Sequence, residues 1–190
     1  MGDSLSDKTD EEIVNLVQAD CVELFGLLIE RYELKMVRYA RKFLSSSEDI
    51  KDVVQEIFIK AYKNIESFDV KRKFSSWLYG IAHNELINAL KKQKKKTLPL
   101  LDLDVFLPHQ LYHDNLSEQI NRQDLHNMVD HGLDELEFKY REPIVLYYFE
   151  QLSYQEIADV MKIPISTVGI RIKRAKEKLK SIYQKLDNSL

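Results

Sequence analysis

One cysteine, Cys21, stands among 190 residues, so the chain can form no internal disulfide and holds no CxxC metal motif. That suits a reducing cytoplasm, with Cys21 expected as a small core residue. No apolar run approaches the length of a membrane span. The opening stretch MGDSLSDKTDEE is acidic where a secretory leader would be basic and then apolar, so a cytoplasmic chain without membrane insertion is expected. Glycine is scarce, and no glycine-rich phosphate loop exists. His109 with His113, and His126 with His131, lack the spacing and carboxylate company of a metal site. No cofactor, no metal and no catalytic set is expected, and an enzyme is the least favoured class. Strand pairs and internal repeats are also missing from the pattern, which leaves an all-α fold.

Basic residues are absent between Lys96 and Arg122, and this gap exposes a segregation that the net charge of −3 hides. Residues 20–98 carry 16 Lys/Arg against 11 Asp/Glu, residues 99–119 carry four acids and no base, and residues 120–161 carry nine acids against three bases. Residues 162–185 then hold eight Lys/Arg against the single acid Glu177. Two basic surfaces flank an acidic middle, which points to two separate nucleic-acid contacts.

Thr9 with Glu12 forms a capping box that opens a helix through about Ala19. Phe25, Leu28, Ile29, Tyr32, Met36, Val37, Ala40 and Phe43 recur at three- and four-residue intervals and predict a second helix within 21–44. Ser45-Ser46-Ser47 breaks the pattern and caps a third, with Val54, Ile57, Phe58, Ala61 and Ile65 as its buried stripe. Asp49, Asp52, Glu56 and Ile59 lie on its other face. A loop with the cluster Lys71-Arg72-Lys73 leads to a fourth helix from Phe74 to the basic run ending at Lys96, whose cations complement the helix dipole. Trp77 shares its spacing with Phe74, Leu78 and Ile81 and is read as core rather than as a stacking platform. Residues 97–119 hold two prolines and no durable period, and are read as an extended acidic linker. A helix returns from about Ser117 to Glu137, and Arg141-Glu142-Pro143 is expected to open another, apolar almost all round from Ile144 to Phe149.

The last stretch, SYQEIADVMKIPISTVGIRIKRAKEKLK (153–180), reads as a helix-turn-helix. Ser153 and Glu156 make a capping box, Pro164 stops the first helix, and Val168, Ile172, Ala175 and Leu179 mark the buried side of the second. Ser166, Gly169, Ile170, Lys173 and Arg174 occupy the opposite face. A concentrated positive charge on a helix that follows a tight turn fits DNA as the partner.

Three separated segments, EDIKDVVQEIFIKAY (48–62), FSSWLYGIAHNELINALKK (74–92) and REPIVLYYFEQLSYQEIADVMKIPISTVGIRIKRAKEKL (141–179), match a known pattern together in order and spacing. Across nearly its whole length the chain resembles the extracytoplasmic-function (ECF) sigma factors of bacterial RNA polymerase. The resemblance implies two small helical domains, a region 2-like domain at 1–96 and a region 4-like helix-turn-helix domain at 120–186, joined by a linker at 97–119 that threads into the polymerase channel later used by RNA. It implies core polymerase as a partner, through the beta-prime clamp helices and the beta flap, together with promoter DNA and an anti-sigma factor. Residues matching the clamp-binding segment are Asp49, Asp52, Gln55, Glu56 and Ile59. Those matching the minus-ten reader are Lys71, Arg72, Lys73, Asn84, Asn88, Lys91 and Lys92. In the minus-thirty-five reader, Gly169, Ile170, Lys173 and Arg174 face the groove, with Ser166, Thr167 and Arg171 placed for phosphates and Arg174 for guanine. Where the family often shows A-x-N-x-x-x-D-x-x-R, this chain has Asn88 and Lys91, losing a carboxylate and a bidentate fork. Gly169 likewise stands where the family often carries a side chain. The role therefore carries over, and the promoter preference does not. Two other classes fit parts of the pattern: an autonomous dimeric helix-turn-helix regulator, and a helical adaptor that binds no DNA.

Overall fold

The computed structural model of the protein describes residues 7–97 and 129–187. These residues are helical with no strand, and they divide into two compact units.

In the first unit α1 (Asp10–Gln18) starts on the Thr9 capping box. The Thr9 hydroxyl accepts from the Glu12 N–H at 3.2 Å, and the Glu12 carboxylate accepts from the Thr9 N–H at 2.7 Å. These bonds from Thr9 hold the Glu12 carboxyl below its ordinary pKa. After α1 the chain turns at Asp20, whose φ of 71° is left-handed, and passes through a 3₁₀ turn at Val22–Leu24. The second helix, α2 (Phe25–Arg41), begins at Phe25, the first residue of its apolar spacing, and Cys21 is half-exposed at the turn rather than in the core. Helix α3 (Ser47–Lys63) is capped by Ser46, whose hydroxyl accepts from the Asp49 N–H, and Ile50, Val53, Val54, Ile57, Phe58 and Ala61 are buried along it. Ile65, the last residue of the expected stripe, is buried in a following 3₁₀ turn, Ile65–Ser67. Then comes α4 (Phe74–Thr97).

Two polar ties fix the loop between α3 and α4. The Gln18 amide donates to the carbonyls of Ile65 and Phe68 at 2.7 and 3.0 Å, and the Glu11 carboxylate accepts from the Phe74 N–H at 2.8 Å. Trp77 lies half-buried with its ring 5.0 Å from that of Phe68 and 5.6 Å from that of Phe74. Its indole serves packing, as its spacing predicts.

Residues 129–187 contain a helix described over 129–134, here α5, followed by α6 (Phe138–Tyr148), α7 (Tyr154–Met161) and α8 (Ile165–Asp187), and the second unit is drawn from them. The linker beyond residue 97, the expected helix up to residue 128, and His109, His113 and His126 lie outside the described residues. Helix α6 does not open at Arg141-Glu142-Pro143: it starts at Phe138 and carries Pro143 inside. The cause is Arg141, which is buried and folds back over the preceding turn. Its guanidinium donates to the Leu136 carbonyl at 3.1 and 3.3 Å, to the Asp134 carboxylate at 3.1 Å, and to the Asp134 carbonyl. That clasp satisfies carbonyls left over where α5 ends and pins the first turn of α6 ahead of the proline. Ile144, Val145 and Leu146 fill the core as expected, whereas Tyr147 and Tyr148 are exposed and pack edge-on against each other.

Replacing Arg141 with Met removes a buried charge but strands the carbonyls it serves. Arg141→Met is expected to cost about 2–4 kcal/mol of stability, read as a lower urea midpoint. Arg141→Lys should recover little of it, because an ammonium cannot span the same acceptors.

Candidate nucleic-acid interface

Helix α7 begins on the second capping box: the Glu156 carboxylate accepts from the Ser153 N–H at 2.8 Å and from the Ser153 hydroxyl at 2.6 Å. It ends at Met161; Lys162 then takes a left-handed φ of 53°, and Pro164 precedes the next helix, which begins at Ile165. On α8, Val168, Ile172 and Ala175 are fully buried and Leu179 is half-buried. The anchored side leaves Ser166, Ile170, Lys173 and Arg174 exposed, with Thr167 and Arg171 at the half-buried flank. Ile170 is 52% exposed, an apolar side chain that its own unit does not cover. Lys173 is only 4.0 Å from Glu177, a loose surface pair, and both are open to solvent. Gly169 is half-buried, and a Cβ there would sit 3.6 Å from the Tyr154 ring, in ordinary contact. Its Cβ direction is therefore toward α7.

In the first unit Lys71, Arg72 and Lys73 are all exposed in the loop whose ends Gln18 and Glu11 hold. The Asp69 carboxylate accepts from the Lys71 N–H and its carbonyl from the Arg72 N–H, a local turn that sets the cluster forward. Asn84, Asn88, Lys91 and Lys92 are exposed along α4 at spacings of four, seven and eight residues, so they form one stripe. A buried carboxylate that the sequence reading passed over lies beneath that stripe. Glu85 accepts from Lys60 on α3 at 2.7 Å and from the Asn88 amide at 3.4 Å. The bond that Lys60 donates to Glu85 raises the Lys60 pKa above its ordinary value.

The residues on α3 do not form one acidic patch. Asp49 accepts from Gln93 of α4 at 2.9 Å, Glu56 lies 3.8 Å from Lys60, and Asp52 is exposed. Gln55 and Ile59 instead line an open groove of about 540 Å³ between α2 and α3, together with Phe25, Ile29, Val37 and Phe58. The α2 residues of that groove belong to the apolar stripe that the sequence predicts as core, and periodicity cannot tell a covered helix face from one left open. Among the described residues no helix is long and apolar enough to cross a membrane.

Comparison with known proteins gives two family matches in chain order. Residues 28–96 match the Sigma-70 region 2 model, and residues 126–179 match a Sigma-70 region 4 model. The chain is 34% identical to the ECF RNA polymerase sigma factor SigW of Bacillus subtilis, over 83% of this chain and 88% of that one. It is also 34% identical to the ECF RNA polymerase sigma-E factor of Escherichia coli, over 94% and 96%. Among solved structures, CnrH in complex with the cytosolic domain of CnrY is similar, with a TM-score of 0.71 at 25% identity, covering 94% of this chain and 99% of that one. The sigma factor RpoE from Bartonella quintana, solved with the anti-sigma factor NepR, shares the fold with a TM-score of 0.66 at 24% identity, over 84% and 96%.

Because a methyl group at position 169 meets nothing closer than ordinary contact, Gly169→Ala should gain helix propensity without a clash. An increase in stability of about 1 kcal/mol is expected in denaturant titration.

Proposed function

Since the chain belongs to the ECF sigma factors, and is thus a promoter-recognising sigma factor of RNA polymerase, we propose that its two units divide the promoter between them. The first unit, taken as residues 1–96, reads the minus-ten element and the second, taken as 120–186, reads the minus-thirty-five element, with 97–119 as the tether. One observation carries this reading: the two family matches fall on separate stretches of the chain, and each stretch presents its own exposed cationic surface.

On α8, Arg174 is exposed with a guanidinium fork whose donors suit O6 and N7 of guanine. Lys173 and Ile170 share that groove face, whereas Gly169 turns its Cβ direction toward α7 and adds no contact there, while Ser166, Thr167 and Arg171 address phosphates beside it. Lys71, Arg72 and Lys73 neutralise the strand that leaves the duplex, and the α4 stripe of Asn84, Asn88, Lys91 and Lys92 meets its bases. Melting follows from trapping unstacked bases there, and no covalent chemistry is needed of the chain. It acts as a non-catalytic specificity subunit in the cytoplasm.

The groove between α2 and α3 is the docking surface for core polymerase. Ile59 and Gln55 line it, Lys51 and Lys63 are at its edge, and Asp52 and Glu56 stand on the same helix, so a helical partner with an apolar ridge and mixed charge fits. Asp49 contributes by holding the end of α4 through Gln93. The CnrH structure, solved with the cytosolic domain of CnrY, and that of RpoE, solved with the anti-sigma factor NepR, support a second protein partner for this chain, for which an anti-sigma factor is the candidate.

Purified core polymerase should initiate from members of a promoter library only when this chain is added. No dependent start site would overturn the reading in favour of an autonomous regulator. Arg174→Ala is expected to relax the base preference at one upstream position at a cost of about 1–3 kcal/mol, leaving downstream preferences unchanged. Ile59→Glu should weaken co-elution with core polymerase while the chain stays folded by circular dichroism.

A further inference from the structure

Two amides on the outer face of α4 are each committed through the same end. The Asn84 amide nitrogen donates to the Gly80 carbonyl one turn back at 2.9 Å. The Asn88 amide nitrogen donates to Glu85 Oε1 at 3.4 Å, three residues back on the same helix. A carboxylate and a carbonyl can only accept, so in both cases the nitrogen must be the end that turns inward. The amide oxygens are left outermost on exposed residues, and neither takes a hydrogen bond among the described residues. The two commitments differ in strength. A backbone carbonyl is fixed by the helix, whereas Glu85 is a side chain that needs its own restraint. It has one, because the same Oε1 takes the Lys60 ammonium at 2.7 Å and the Glu85 side chain is only 10% exposed. Lys60 is therefore the anchor, Glu85 the strut, and Asn88 the group held.

We propose that Glu85 is a positioning residue for base selection: with Lys60 it locks the Asn88 amide oxygen-outward, so that this face of α4 accepts hydrogen bonds and, at purine C6 or pyrimidine C4, selects an amine (adenine N6 or cytosine N4) over a keto oxygen. The inference rests on the reading of α4 as the minus-ten helix. An amide free to rotate would serve as donor or acceptor and would take keto bases equally well. A locked amide facing guanine O6 or thymine O4 sets two acceptors against each other and leaves both unpaired. Shape and stacking do not explain such a choice, since each chemical pair contains one purine and one pyrimidine.

The test uses holoenzyme assembled from the full chain and core polymerase on promoters randomised across the minus-ten element, with transcripts sequenced. Asn88→Ala identifies the position that Asn88 reads. At that position the wild-type chain should prefer A or C. Replacing the base by its amine-free analogue, purine for adenine or 2-pyrimidinone for cytosine, should lower initiation about two- to tenfold. Glu85→Ala should erase the preference at that one position, admitting G and T within about twofold, and should be indifferent to the analogue. Glu85→Gln should restore selection, because one carbonyl oxygen can still accept from both Lys60 and Asn88. A merely structural role would lower all promoters together and move no preference. Preference for keto bases, no loss with the analogues, or an unchanged preference in Glu85→Ala overturns the proposal. The analogue series on the wild-type chain does not depend on any variant folding. If no position responds to Asn88→Ala, the reading of α4 fails as well; if one does and Glu85→Ala leaves it alone, only the strut is lost.

Discussion

A charged group that leaves water inside a small helical unit needs hydrogen-bond partners there, and each unit of this protein holds a buried charge whose partners lie on a neighbouring element. In the first it is Glu85, 8% exposed, which ties α3 to α4 through Lys60. In the second it is Arg141, 6% exposed, which gathers the carbonyls at the end of α5 and sets where α6 begins. Apolar stripes bring the helices together without a fixed register, since leucine and isoleucine contacts tolerate sliding. The buried charges do not tolerate it, because a shift of one residue would break their bonds and leave them unpaired. Both groups lie in the elements that precede or carry the exposed cationic faces, so the register they set is passed on to those faces.

The same logic governs the loop before α4. Lys71, Arg72 and Lys73 repel one another and gain nothing from burial, so the path of their loop is set largely by other residues. Their position comes from neighbours: Gln18 on the carbonyls of Ile65 and Phe68, Glu11 on the Phe74 N–H, and the rings of Phe68, Phe74 and Trp77 beneath. Helix α1, which carries both polar ties, thus presents no basic surface itself and still sets the basic loop.

Much of this was legible in the sequence where local chemistry decides the outcome. Both capping boxes, the Ser46 cap, the α3 stripe and the stop at Pro164 follow from side-chain reach and backbone geometry within four residues. What escaped was set by contacts across elements. Periodicity counts Arg141 and Glu85 as surface, because a charge pattern cannot show that partners will meet it inside. Pro143 was read as a helix start by a rule that holds only when nothing upstream pins the turn. For Tyr147 and Tyr148, continuous apolarity was itself a signal: a helix apolar all round in so small a unit has more apolar surface than its core can take. On α3 the acidic residues were visible, but not that Asp49 and Glu56 already have partners in the fold.

The charge distribution finally bears on how the proposed roles fit together. A chain with a net charge of −3 that carries eight bases against one acid over residues 162–185, and 16 against 11 over 20–98, keeps its positive surpluses apart from its negative ones. Exposed cations gain affinity for any phosphate backbone by releasing counterions, whatever the sequence, and acids on the same chain work against that gain. On the proposed reading, neither face would grip DNA strongly alone. Attachment to polymerase would place both over one promoter, so that the second contact forms at the effective concentration set by the first. Sequence choice would then rest on the few side chains whose polar ends are fixed in direction, Arg174 by its planar fork and the α4 amides by the groups that hold them.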